Sequence, residues 1–165
     1  KVGRYRVLVD AFRKDMGEVF DLGWLEVEGK KKSIVIEKDL TLNRIFDGYE
    51  VELLLESAMP KSSEETHLNY YIKRNGKLVT DIKPYLGSDM HLVVMPVDLS
   101  TIIHTHGIKT ASDIIDAHQT FSYPGIWKIY GQFQHQGRVI TTEFMIEVAM
   151  SSNQMPQAQM HKDGH

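Results

Sequence analysis

The sequence predicts an all-β domain, an antiparallel β-sandwich with an extra N-terminal β segment and a flexible C-terminal tail. Three observations carry this. Short apolar runs of alternating character recur along the chain, bounded by turn residues. Hairpin signals lie between them, Asn75-Gly76 being the strongest. Helical character is confined to one short stretch, Thr110 to Ala117. With 165 residues, 42% hydrophobic and 25% charged, the chain is globular and long enough for one core with appendages.

Gly3 to Phe12 places Tyr5, Val7 and Val9 on one face and Leu8 on the other. Gly23 to Glu28 and Ser33 to Glu37 follow as strands around the polar turn Glu28-Gly29-Lys30-Lys31-Lys32, whose lysines keep an edge from pairing. These strands make up a β-rich segment, residues 1–44. Tyr49 to Leu55 opens a second series and leads to Met59-Pro60, and Lys61 to Glu65 is a polar loop. His67 to Lys73 and Lys77 to Asp81 form a hairpin across Asn75-Gly76. His91 to Val97 and Thr101 to His106 are the next two strands. Thr110 to Ala117 is the helical hint, with Ser112 as cap, Asp113 in the first turn, and Ile114 and Ile115 docking it. After the turn Tyr123-Pro124-Gly125, Trp127 to Gln134 and Val139 to Val148 pair across Gln136-Gly137. Alternation puts Trp127, Ile129, Gly131 and Phe133 on one inward face and Tyr130 on the other. Strands at this spacing need two packed sheets to bury one face each, so residues 45–149 form the sandwich. Residues 150–165 are polar, Gln-rich and aperiodic, the pattern of a flexible tail.

Composition narrows the function. The 22 acidic and 19 basic residues give a net charge of -3, against a nucleic-acid partner and against a polybasic membrane anchor. The longest apolar run, Leu92 to Val97, contains Pro96 and is too short to span a bilayer, so no transmembrane segment is expected. Cysteine is absent, which removes disulfides, thiolate nucleophiles and Cys-ligated metals. The chain opens at Lys1 with neither an initiator Met nor an apolar leader, which is what a removed leader or a trimmed start would leave. No G-x-S-x-G elbow, P-loop, dinucleotide fingerprint or H-E-x-x-H occurs, and we expect no enzymatic activity.

Eight His and eight Met are the compositional oddity. His104-Thr105-His106 sets two imidazoles on one strand face with Cα atoms about 6.5–7 Å apart, close enough to share a metal. His91 opens the preceding strand. Alternation groups it with Met95 and sends Met90 to the other side, unless a bulge at the strand start brings Met90 round. Imidazole with thioether suits copper; imidazole alone also suits zinc or nickel. The competing reading makes His91 a core-rim residue bonded to backbone, and His104 and His106 ordinary polar strand residues. Met150, Met155, Met160, His161 and His165 in the tail would suit Cu(I), or belong to a linker in which they are incidental. Asp113, Asp116 and His118 form an oxygen-rich site or the exposed face of the helical turn.

Three stretches bear a family resemblance: Asn75 to Met95 (NGKLVTDIKPYLGSDMHLVVM), Asp98 to Gly107 (DLSTIIHTHG), and Phe121 to Val148 (FSYPGIWKIYGQFQHQGRVITTEFMIEV). Through them Gly48 to Val148 resembles uncharacterised bacterial secreted or envelope domains with an immunoglobulin-like β-sandwich, found with heavy-metal and copper-handling genes. The resemblance implies an immunoglobulin-like fold, a periplasmic or extracellular location, and a metal role for His91, His104 and His106. Gly107 stands where relatives carry Pro, and Asp89-Met90 where a small-residue/Gly pair precedes the His. The expected function is thus a non-enzymatic envelope domain that binds a transition metal, copper first and zinc as the alternative. Its metal ligands would be His91, His104 and His106 with Met95 or Met90. Its role would be that of a metal-handling or resistance accessory. The alternative is a structural or interaction module that contacts another envelope protein and has no metal role. A metal-assisted hydrolase is disfavoured, since no carboxylate base is spaced to activate a metal-bound water.

Overall fold

Every regular element among the residues described by the computed structural model (2–13, 17–29 and 37–152) is a strand. The chain divides into two compact units, Lys1–Glu37 and Lys38–His165. In the first, β1 (Gly3–Arg13) and β2 (Gly17–Val27) pair antiparallel from Gly3↔Val27 to Arg13↔Gly17, with register shifts around Leu8. The Arg4 and Arg6 guanidinium groups lie 4.1 and 5.3 Å from the Trp24 ring centroid, a cation–π arrangement on the hairpin face. β2 thus begins six residues before the expected Gly23 and pairs with β1 directly. The expected strand Ser33 to Glu37 and the turn lysines Lys30 to Lys32 lie outside the described residues, apart from Glu37, which is in no strand.

The second unit contains β3 (Asn43–Phe46), β4 (Tyr49–Leu55), β5 (Glu65–Arg74), β6 (Lys77–Leu78), β7 (Met90–Pro96), β8 (Ile103–Lys109), β9 (Ile115–Thr120), β10 (Gly125–His135) and β11 (Arg138–Val148). They join antiparallel in the order β11-β10-β7-β8-β9-β5-β4-β3, with β6 on β5. The two ends of this order come side by side, where Phe46 of β3 and Phe144 of β11 meet edge to face at 5.4 Å. The result is a nearly closed antiparallel β-sandwich or barrel. Expected boundary 44/45 falls inside β3, because Asp47-Gly48 turns β3 into β4.

Turn chemistry sets the registers. Asp47-Gly48 (φ 50° and 82°), Asn75-Gly76 (51° and 73°) and Gln136-Gly137 (50° and 73°) each have positive φ at both central positions, the signature of a type I′ turn. Alternation then fills the core. β10 buries Trp127, Ile129, Gly131 and Phe133 while Tyr130 stays half-buried on the other side, as expected. Tyr49, Tyr70, Phe121 and Phe144 complete the large buried set.

β8 is the strand that positions the site. Its first part, Ile103 to Gly107, pairs with β7; its last two residues, Ile108 and Lys109, pair with β9. Gly107 sits at the changeover, where a Cβ would lie 2.5 Å from Ile115 Cγ2, so the inner side of the crossing admits no side chain.

Two expectations are corrected. Thr110 to Ala117 is a loop leading into β9, not a helix. Asp113 has φ 58°, Thr110 accepts and donates across the loop (Thr110 N–H to Ile114 O 2.7 Å, Asp113 N–H to Thr110 O 3.0 Å), and Ile115 and Ala117 alternate inward as strand residues. The strand expected over Lys77 to Asp81 stops at Leu78, after which Val79 and Ile82 turn into the core. At the start of the expected tail, Ser151 is buried, with its Oγ–H on Glu64 at 2.9 Å and its N–H on Ser62 Oγ at 3.2 Å. Met155, Met160, His161 and His165 lie outside the described residues.

Candidate metal centre

Antiparallel pairing sets His91 of β7 directly opposite His106 of β8, and His104 opposite Val93, one step along the same face. The three rings converge. Centroids are 4.6 Å apart for His91–His106, 4.6 Å for His104–His106 and 5.4 Å for His91–His104, the last pair stacked at 17°. One nitrogen from each ring lies within 4.8 Å of the others. A metal holding imidazoles at about 2.0–2.1 Å needs nitrogens roughly 3.3 Å apart in tetrahedral geometry. His91 Nδ1 and His104 Nε2 are already 3.1 Å apart, so small ring movements complete the set.

The tautomer of His91 follows from its neighbours. Its Nε2 is 2.8 Å from the Tyr85 carbonyl oxygen, which can only accept, so Nε2 carries the proton. In the neutral ring Nδ1 then holds its lone pair toward His104. A backbone carbonyl fixing the remote N–H of a ligand is the usual outer-shell arrangement at metal-binding histidines. The carbonyl is itself held by a tight turn: Tyr85 and Ser88 exchange backbone hydrogen bonds of 2.8 and 3.2 Å around Leu86-Gly87. His91 and His104 are half-buried and His106 is exposed, beside a depression of about 450 Å³ lined by Pro84, Leu86, Gly87, Ser88, Asp89 and Ile108. Solvent therefore reaches the group from the His106 side.

The methionines stand apart. Met90 is fully buried, with its Cε and Sδ against Gly131 of β10, so it faces the core away from the histidines. The strand start has no bulge, as the unbroken pairing Met90↔Gly107, His91↔His106 shows. Met95 shares the outer face with His91 but lies four residues along the strand, about 13 Å at the extended rise. The converging donors are nitrogen only.

Two other histidine groups form, of which sequence alone singles out only His118, with Asp113 and Asp116. His135 is buried; its Nε2–H donates to Asp81 Oδ1 at 2.8 Å and its Nδ1 accepts from the Tyr49 hydroxyl at 2.8 Å, because the carboxylate can only accept. The bond from His135 holds the Asp81 carboxyl below its ordinary range. On β5 and β9, His67 and His118 pair directly, with ring centroids 4.0 Å apart. His67 Nδ1 is 3.0 and 3.1 Å from the two Asp116 oxygens, and His118 lies 3.4 Å from both Glu65 Oε1 and Asp116 Oδ2. The hydrogen bond to Asp116 raises the His67 pKa above its usual value. Of the expected trio Asp113, Asp116 and His118, the last two meet here, while Asp113 pairs with Lys109 at 3.2 Å.

Residues 43–150 match a family described as a domain of unknown function, DUF8832. No curated protein matches the chain. Among solved structures the chain is similar to a DUF4426 family protein from Pseudomonas aeruginosa PAO1, at 13% sequence identity over 65% of this chain and 96% of that one, with a TM-score of 0.46. The family match is to a domain of unknown function and supplies no link to copper handling.

Proposed function

The chain belongs to the DUF8832 family, a domain of unknown function, and we propose that it is a metal-binding module that takes one divalent transition-metal ion through His91, His104 and His106. One observation supports this above the rest: three imidazoles converge on one face while a backbone carbonyl fixes the His91 proton on Nε2, so that Nδ1 keeps its lone pair on the side of His104. An all-nitrogen set suits borderline divalent ions, and among these Cu(II) binds most tightly, with Zn(II) the competitor. Three protein ligands leave a fourth position open toward solvent on the His106 side, which favours handing an ion on over locking it away. The reading takes the sandwich as an immunoglobulin-like scaffold working in the periplasm or outside the cell, as a non-enzymatic accessory of metal handling. The second reading, a structural or interaction module without metal, rests on the hydrogen bonds His91 already makes to His104 and Tyr85.

Titration decides between them. Chelator-treated protein without an affinity tag is titrated with Cu(II) and Zn(II), alongside His104→Ala/His106→Ala and a variant lacking the Met/His tail. The double variant should lose one equivalent, and its metal-free melting temperature should stay close to that of the parent, since His104 is half-buried and His106 exposed. Parental binding by the double variant after tail removal would leave the strand histidines as ordinary surface residues.

A further inference from the structure

A second donor set lies on the outer face of β5 and β9. Glu65, His67 and His118 each offer a ligand atom, and these atoms lie within 4.8 Å of one another. Asp116 can only accept at His67 Nδ1, so that nitrogen carries the proton and neutral His67 presents the Nε2 lone pair. We propose that Glu65, His67 and His118 form a second, zinc-type divalent metal site, with Asp116 as the positioning residue that fixes the His67 ring. Two imidazoles and one carboxylate are an established zinc donor set, and a carboxylate behind a ligating histidine is its common outer shell.

The arrangement makes little sense as ion pairing alone. The side chains of Glu65 and His118 are 64% and 53% exposed, where charge pairs contribute little. Two imidazoles directly opposite at 4.0 Å repel when both are protonated, whereas a shared metal ion turns the pair into an asset.

Strand register relates this set to the first. His91 opposes His106, and His67 opposes His118. Extending the β8–β9 pairing two residues beyond Ile108↔Asp116 would bring His106 opposite His118, but that pairing ends there because β8 has moved across to β7. The two donor sets therefore flank the line along which β8 and β9 part. They share no residue, and the second site stands whether or not the first binds metal.

The test uses the full chain with His161→Gln and His165→Gln in every sample, stripped with chelator and titrated with Zn(II) by competition against a chromophoric chelator. Co(II) visible spectra report the coordination geometry. The background protein should bind two equivalents if both sites hold. His67→Gln/His118→Gln should lose one equivalent together with its Co(II) bands, and His104→Gln/His106→Gln should lose the other. Asp116→Asn should weaken the second site by about 10–100-fold while the Co(II) bands persist at saturation. Glu65→Gln, at an exposed position, should weaken it at least tenfold and covers the case in which the double variant fails to fold. An unchanged zinc count and affinity in His67→Gln/His118→Gln, or in Glu65→Gln where the double variant does not fold, overturns this site. If only His67→Gln/His118→Gln loses zinc, the second site stands and the His91/His104/His106 reading falls.

Discussion

Gly107→Ala probes the place where β8 changes partners. Gly107 has no left-handed φ, so alanine meets no backbone strain and gains about 0.4–1 kcal/mol by restricting the unfolded chain. Packing opposes this. The new Cβ would lie 2.5 Å from Ile115 Cγ2, 3.4 Å from Met90 Cβ and 3.5 Å from Leu92 Cδ1. All three neighbours are fully buried, so none can swing into solvent to make room. Overpacking of this kind costs about 1–3 kcal/mol, so the net runs from about zero to a loss of about 2.6 kcal/mol, with roughly 1.3 kcal/mol at mid-range. For a unit of this size the mid-range loss is a fall of about 2–8 °C in melting temperature. The measurement is urea unfolding of the chelator-treated protein, read as a lowered midpoint at unchanged slope. Ile115→Leu removes the offending branch at similar volume, so the alanine penalty should shrink by more than about 0.5 kcal/mol in that background. A stabilised Gly107→Ala, or a penalty indifferent to Ile115→Leu, would refute the crossing as described.

The Tyr70 hydroxyl is buried without a hydrogen-bond partner, and burial drives its pKa far upward, so Tyr70→Phe should leave stability unchanged or raise it by up to about 1 kcal/mol; a clear loss by urea midpoint would reveal a partner. Gly76→Val should cost about 1–3 kcal/mol through backbone strain alone, because φ is 73° and nothing lies within 4 Å of the added Cβ; an unchanged midpoint would exclude the type I′ turn. The Asp81 pKa is lowered by the bond from His135, so its contribution is fully present above the ordinary value of 3.8 and is lost as pH falls through the lower folded value. Asp81→Asn should therefore melt below the parent at pH 6 and converge with it toward pH 2.5; a gap independent of pH would contradict the linkage.

The strands and their turns were legible because their causes are local. Asn75-Gly76 announces its type I′ turn in two residues, Gln136-Gly137 reads as a turn whose type the φ angles supply, and the face shared by Trp127 and Phe133 follows from alternation alone. The same rule placed His104 and His106 together and turned Met90 away. Two kinds of information were not local. The Thr110 loop mimics a helix start, since Thr, Ser and Asp serve loops as readily as caps, and β9 shows itself only through its partners β5 and β8. His67 and Asp116 lie 49 residues apart, and no spacing rule links residues that meet only when β5 finds β9. His135 carries no local signal, because its partners Tyr49 and Asp81 come from elsewhere in the chain.

The sheet order also has a meaning in time. His91 and His104 are 13 residues apart on one hairpin, so that donor set exists as soon as β7 and β8 zip together, a local event of microseconds. Glu65 and His118, separated by 53 residues, meet only after a long loop has closed and the late, non-local pairing has been made. On the proposed reading, the first set would be complete while the chain is still assembling, whereas the second comes into being only with the finished fold.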